Sequence, residues 1–111
     1  MAEAVDRLYA AILDARTRDP QTSKTAKLLR EGMTKIAKKV VEEAVEVSLD
    51  AVQGDRQRVI EESADLVYNV AVLWAETGVT PTDVWNEIAR RERTYGIAEK
   101  LPKDTSRKDD R

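Results

Sequence analysis

Apolar residues along this chain recur three and four positions apart and nowhere alternate with period two, a pattern that predicts helices throughout. Val5, Leu8, Tyr9, Ile12 and Leu13 mark one face of a first helix over about residues 2–17, which Asp19-Pro20 interrupts. Thr22 or Ser23 is placed to cap a short second helix through Leu28 and Leu29 that stops at Gly32, where a left-handed backbone is easily accommodated. The periodicity restarts at Thr34 and runs to about Gln53, with Gly54 closing the third helix. Asp55 is placed to cap a fourth that continues to about Thr77, before Gly78. Thr80-Pro81-Thr82-Asp83 has the form of a helix start: threonine as cap, proline in the first turn and an acid at the third position. Val84, Trp85 and Ile88 form the expected buried side of this fifth helix. The elements predict an all-α bundle of about five helices in one domain, residues 1–96. Residues 97–111, rich in Lys, Asp, Arg and Ser, read as a polar C-terminal tail.

The third and fourth helices depart from simple amphipathicity. Projected at about 100° per residue, Ile36, Val40, Glu43 and Val47 fall in nearly one direction, so Glu43 lies in the apolar phase and is expected to be partly buried. Glu42 and Glu46 flank it on one side, which Lys35 and Lys39 share one to two turns earlier. On the fourth helix, residues such as Val59, Ile60, Val67, Val70 and Val72 wrap almost the whole circumference and leave a narrow polar seam of Arg58, Glu62, Asp65 and Asn69. Like charges three or four apart on a helix cost roughly 0.2–0.5 kcal/mol per pair unless a cation lies between them. Lys35 and Lys39 are available as ordinary salt-bridge partners, but lysine preceding glutamate is the less favourable order, and the seam of the fourth helix contains no lysine. If the short Gly54-Asp55 turn sets the two helices antiparallel, their acidic seams can face each other, and two such seams on consecutive apolar helices favour a shared cation.

Composition narrows the chemistry of that cation. The 111 residues contain no cysteine and no histidine, which removes disulfides, zinc sites of the usual kind, thiol nucleophiles and imidazole acid–base catalysis. An all-carboxylate ligand set suits a hard divalent ion, Mg²⁺ or alternatively Mn²⁺. Glu42, Glu43, Glu46, Glu62 and Asp65 exceed what one Mg²⁺ takes from protein, so two or more ions bridged by substrate phosphate oxygens are expected, lowering the pKa of a bound water for attack on phosphorus. Lys35 and Lys39 are suited to contact terminal phosphates as point charges; Lys27, Arg30 and Lys38 are further candidates for such contacts, with ordinary surface charge as the preferred reading. A net charge of −2 advertises no surface for nucleic acid, and no long apolar run suggests a leader or a membrane span. A soluble, cytoplasmic protein acting on a small nucleotide is the expectation. The wide apolar arcs exceed what one small monomer covers, so a homodimer is expected as well.

Thr25-Ala26-Lys27-Leu28-Leu29, Gly32, Lys35-Ile36, Lys39-Val40, Glu42-Glu43-Ala44 and Glu46, followed by Glu62-Ser63-Ala64-Asp65-Leu66-Val67-Tyr68, closely resemble the phosphoribosyl-ATP pyrophosphohydrolases of histidine biosynthesis. These belong to the all-α, MazG-like nucleotide pyrophosphohydrolases, and the likeness covers about Val5 to Lys100. The resemblance implies Mg²⁺-dependent hydrolysis of the α–β phosphoanhydride of phosphoribosyl-ATP by a homodimer. It implies Glu43, Glu46, Glu62 and Asp65 as metal ligands, with Glu42 as a further ligand or the group orienting the water, so that Glu42 and Glu43 are the catalytic candidates. Val41 stands where the family usually has glycine, and Asn69 where a histidine commonly follows the tyrosine; neither change removes a ligand. Two other readings remain at this level: a house-cleaning hydrolase of free nucleoside triphosphates, and a non-catalytic helical dimerisation module whose acidic seam is a solvated groove.

Overall fold

Five helices follow in chain order in the computed structural model, α1 Ala2–Ala15, α2 Lys24–Glu31, α3 Met33–Val52, α4 Arg56–Thr77 and α5 Pro81–Thr94. The structure describes residues 2–95, and within them there is no strand. The expected tail at 97–111 lies outside the described residues. The chain divides into two units, Met1–Pro81 and Thr82–Arg111.

Local chemistry sets the boundaries. The Ser23 hydroxyl accepts the backbone N–H of Ala26 at 3.1 Å and starts α2; Asp55 Oδ1 accepts the N–H of Arg58 at 3.1 Å and starts α4. Gly32 alone joins α2 to α3, with φ +96°, a value that an L side chain adopts only under strain. Its carbonyl accepts the Ile36 N–H, so α3 begins at Met33, one residue before the sequence pattern restarts. α1 ends at Ala15, two residues short of expectation, and the Arg16 guanidinium turns away to donate to the carbonyl of Ala75 on α4 at 2.6 Å.

The first unit is held by a core of Ile12, Leu28, Ile36, Ala71, Val72 and Ala75, drawn from all four of its helices. Ile36 and Val72 are completely buried. The three residues between α3 and α4 leave only an antiparallel arrangement, and the cross-helix pairs confirm its register. Asp50 approaches Arg58 near the turn, and Glu43 approaches Asp65 two turns further on. α1 covers the C-terminal half of α4. The tie between Thr25 Oγ1 and the Tyr68 hydroxyl, 2.6 Å, fixes the start of α2 to α4.

Two apolar stripes remain bare. On α3, Val41, Val45, Leu49 and Val52 are 50–85% exposed, and on α4, Ile60 and Val67 are 47% and 44% exposed. The wrap of apolar residues expected around α4 is therefore covered only in part, because within the first unit the two short helices α1 and α2 pack on the α3–α4 hairpin and leave these stripes bare. In the second unit α5 half-buries Val84 and Trp85, while Ile88, expected on the buried side, is 40% exposed. Glu87 there is gripped by Arg90 at 2.9 and 3.1 Å and by Arg91 at 3.0 Å. Those bonds hold its carboxyl down to about 2.

Candidate metal and phosphate site

Three helical stripes in the first unit bound one cleft of about 480 Å³. α2 contributes Lys24, Lys27, Leu28 and Glu31, at the three- and four-residue spacing that keeps side chains on one face. α3 contributes Lys35, Lys39 and Glu43, one turn apart, and α4 contributes Asp65, Tyr68 and Asn69. The volume lies in the range of about 300–1,000 Å³ typical of small-molecule sites.

Glu43, Glu62 and Asp65 can each offer a carboxylate oxygen such that all three lie within 4.8 Å of one another. Glu62 is buried, Glu43 half-buried and Asp65 exposed. Glu46 is exposed and outside the three-acid group, but the Glu62 carboxyl is near enough to act on its proton affinity. The crowding is visible in proton affinity. Glu46 is pushed above the usual 4.5, first by its hydrogen bond with Glu62 and then by the charge of Glu62 and by desolvation. Glu62 is likewise pushed up, first by its hydrogen bond with Glu43; its bond with Glu46 and the charge of Arg58 act in the opposite sense. Carboxylates this close hold on to a proton because it does the work of a counter-ion.

The residues fit a hard divalent cation. Glu43 Oε1 and Asn69 Oδ1 are buried with no hydrogen-bond partner, a condition that costs about 1–3 kcal/mol per group when nothing satisfies it. Asn69 Nδ2 donates to the backbone carbonyl of Asp65 at 2.8 Å, which settles that the amide oxygen, an acceptor, is the end left over. The three clustered carboxylates, with no nitrogen or sulfur donor among them, suit a hard ion such as Mg²⁺ or Mn²⁺ rather than zinc or copper.

The sequence-derived candidates are distributed unevenly around this site. Glu43, Glu62 and Asp65 come together, with Glu46 at their edge, and Lys35, Lys39 and Asn69 line the cleft. Arg58 does not line it. Its Nη2 lies 3.2 Å from Glu62 Oε2 and its Nε 4.0 Å from Asp50 Oδ2, so α4 carries its own counter-ion for the buried glutamate. Glu42 is exposed and belongs neither to the three-acid group nor to the cleft lining. Lys27, read from sequence as a surface charge, lines the cleft together with Lys24, Glu31 and Tyr68, which the sequence did not single out as site residues. The signal for them was the 24, 27, 28, 31 spacing on α2, which is also the signature of any solvated helix face.

Acids on α3 and α4 and lysines on α2 and α3 thus line one cleft of an all-α bundle, a lining whose chemistry suits a phosphorylated anion together with a divalent cation. The chain belongs to the phosphoribosyl-ATP pyrophosphohydrolase family, whose pattern matches residues 5–92. It is similar to phosphoribosyl-ATP pyrophosphatase 2 of Rhodopseudomonas palustris, 61% identical over 103 residues that cover 93% of this chain and 79% of that protein. Phosphoribosyl-ATP pyrophosphatase 2 of Bradyrhizobium diazoefficiens is 58% identical over 103 residues, 93% of this chain and 77% of that protein. The phosphoribosyl-ATP pyrophosphatase of Azospirillum brasilense is 52% identical over 99 residues, 89% of either chain.

Proposed function

We propose that this chain hydrolyses the α–β phosphoanhydride of phosphoribosyl-ATP, giving phosphoribosyl-AMP and pyrophosphate, as a cytoplasmic step of histidine biosynthesis. The observation that carries this reading is the convergence of Glu43, Glu62 and Asp65 within 4.8 Å beside a lysine-lined cleft, in a member of this family. Glu43, Glu46, Glu62 and Asp65 would hold Mg²⁺, with Mn²⁺ as the substitute. Such a cation would supply charge neutralisation of the phosphoanhydride and a more acidic water beside it.

The remaining work falls to the side chains. Lys39 stands one turn, about 6 Å, along α3 from Glu43, and Lys35 two turns, about 12 Å, so both reach along a polyphosphate whose reacting end lies at the acids. They offset the negative charge that pyrophosphate carries away when the bridging P–O bond breaks. Glu43, with Oε1 unpartnered, is the group to accept the proton that the attacking water releases. Glu42 is the second candidate for that role, which its exposed side chain would fill only by turning inward. Asn69 offers an acceptor that orients a hydroxyl or water without taking its proton.

The bare stripe of Val41, Val45, Leu49 and Val52 supports a homodimer formed by a second copy of this chain. The function is tested by measuring pyrophosphate release from phosphoribosyl-ATP and from a panel of nucleoside triphosphates, with Mg²⁺ present. Preference for phosphoribosyl-ATP supports the reading, and preference for free triphosphates replaces it with the house-cleaning one.

A further inference from the structure

The four lysines that line the cleft come from two helices, two from α2 and two from α3. Lys35 and Lys39 share α3 with Glu43 at strict four-residue spacing, so they belong to whatever lies on the acids. Lys24 and Lys27 sit on α2, a helix that gives no carboxylate to the three-acid group, and they point into the same cleft with Leu28 between them and Glu31. Both are exposed, and no carboxylate forms an ion pair with either among the described residues. The α2 stripe is nonetheless held firmly. Ser23 caps the helix, and the Thr25 hydroxyl is bonded at 2.6 Å to Tyr68, itself a lining residue of the cleft. An anchored helix therefore brings two ammonium groups to the cleft in addition to the pair on α3.

We infer that Lys24 and Lys27 form a second phosphate subsite, which binds the phosphate of the phosphoribosyl group while Lys35 and Lys39 serve the polyphosphate. The inference rests on the proposed function, because it needs a substrate phosphorylated at two separate ends, and phosphoribosyl-ATP is such a molecule whereas ATP is not. A cleft of about 480 Å³ takes a whole nucleotide rather than an isolated pyrophosphate. Lysine serves a terminal monophosphate as a compact point charge with three donors, a task that the arginine fork also performs. The pair thus determines specificity by rewarding the second phosphate, and the discrimination disappears with the pair.

The test is the full chain with K24A/K27A, assayed with phosphoribosyl-ATP and with ATP in saturating Mg²⁺, with ribose 5-phosphate as a competitive probe of the subsite. The expected result is a KM for phosphoribosyl-ATP raised about tenfold or more, with the preference in kcat/KM for phosphoribosyl-ATP over ATP lowered by the same factor. Inhibition by ribose 5-phosphate weakens in parallel, and K24R/K27R restores most of both. An unchanged preference, or an equal loss on both substrates, overturns the subsite while leaving the proposed function intact. A wild-type chain that does not cleave phosphoribosyl-ATP overturns both. Lys24 and Lys27 are exposed and outside the core, so the melting temperature of the variant serves as the folding control.

Discussion

Replacing Glu43 by glutamine separates the two things that the acidic cluster does, namely hold a cation and strain the empty fold. Glu43 is half-buried, supplies one of three carboxylate oxygens lying within 4.8 Å of one another, and hydrogen-bonds Glu62, whose carboxyl it pushes up. Removing its charge relieves that crowding, so without divalent ions the variant melts at or above the temperature of the wild type. With cation the order reverses. At a Mg²⁺ concentration of 100 times Kd, binding to the native state stabilises the wild type by about 2.7 kcal/mol. For a domain of this size that is a rise of roughly 10–20 °C in Tm, at 4–8 °C per kcal/mol. A tenfold weaker site leaves about 1.4 kcal/mol at the same concentration, half the increment. Calorimetric melting in EDTA and in Mg²⁺ gives the four temperatures, and pyrophosphate release from phosphoribosyl-ATP gives the turnover, which the variant loses. Equal Mg²⁺ increments in the two proteins, or full activity in the variant, would refute the cation site.

The pH dependence of the metal-free protein carries a definite sign. Glu46 and Glu62 are pushed above 4.5 in the folded state, so their contribution to stability is complete below that value and is lost as pH rises through their folded pKa values. Melting in EDTA between pH 4.5 and 8 should fall with a slope that Glu62→Gln flattens; an unaltered slope would mean that the crowding is absent. Glu87 has the opposite sign, its contribution present above 4.5 and lost towards pH 2, but it is exposed and screened and adds little. Tyr68→Phe removes the 2.6 Å bond to Thr25 and should cost about 0.5–1.5 kcal/mol, read by urea unfolding, with a raised KM because α2 loses its tie to α4. Leu49→Lys places a charge in the middle of the bare α3 stripe and should convert a dimer to a monomer in light scattering, whereas a monomeric wild type would dispose of the proposed assembly.

The helices were legible because caps and periodicity agree: Ser23, Asp55 and Gly78 sit where the backbone needs them, and the apolar positions recur at helical spacing between them. Glu43 was legible for the opposite reason, as a charge lodged in the apolar phase of α3 that a solvated face would not require. The convergence of Glu62 and Asp65 on it followed from a turn too short for anything but an antiparallel hairpin. What sequence could not supply is the path of α2. Its lysines look like those of any exposed helix until Leu28 is seen in the core and Thr25 on Tyr68, because a cleft among three helices depends on crossing directions that periodicity does not encode. The position of Glu42 was lost similarly. Glu42 is a candidate in sequence because it adjoins Glu43 and matches the family motif, but it points about 100° away round α3 and is exposed. Arg58 was visible on the α4 seam, but its service as the counter-ion of Glu62 depends on rotamers.

Gly32 is the entire connection between the helix bearing Lys24 and Lys27 and the helix bearing Lys35, Lys39 and Glu43. With a single residue for a joint, neither helix rolls about its axis without dragging the other, and the angular offset of the two rows of side chains is locked into the length of the chain. One extra residue at that joint would swing the α3 row by about 100°, carrying Glu43 away from Glu62 and the ammonium groups out of the opening together. The molecule has no slack here. An insertion at this spot is therefore a harsher lesion than most substitutions within the opening, and spacing between the rows is as strictly required as the identity of the residues in them.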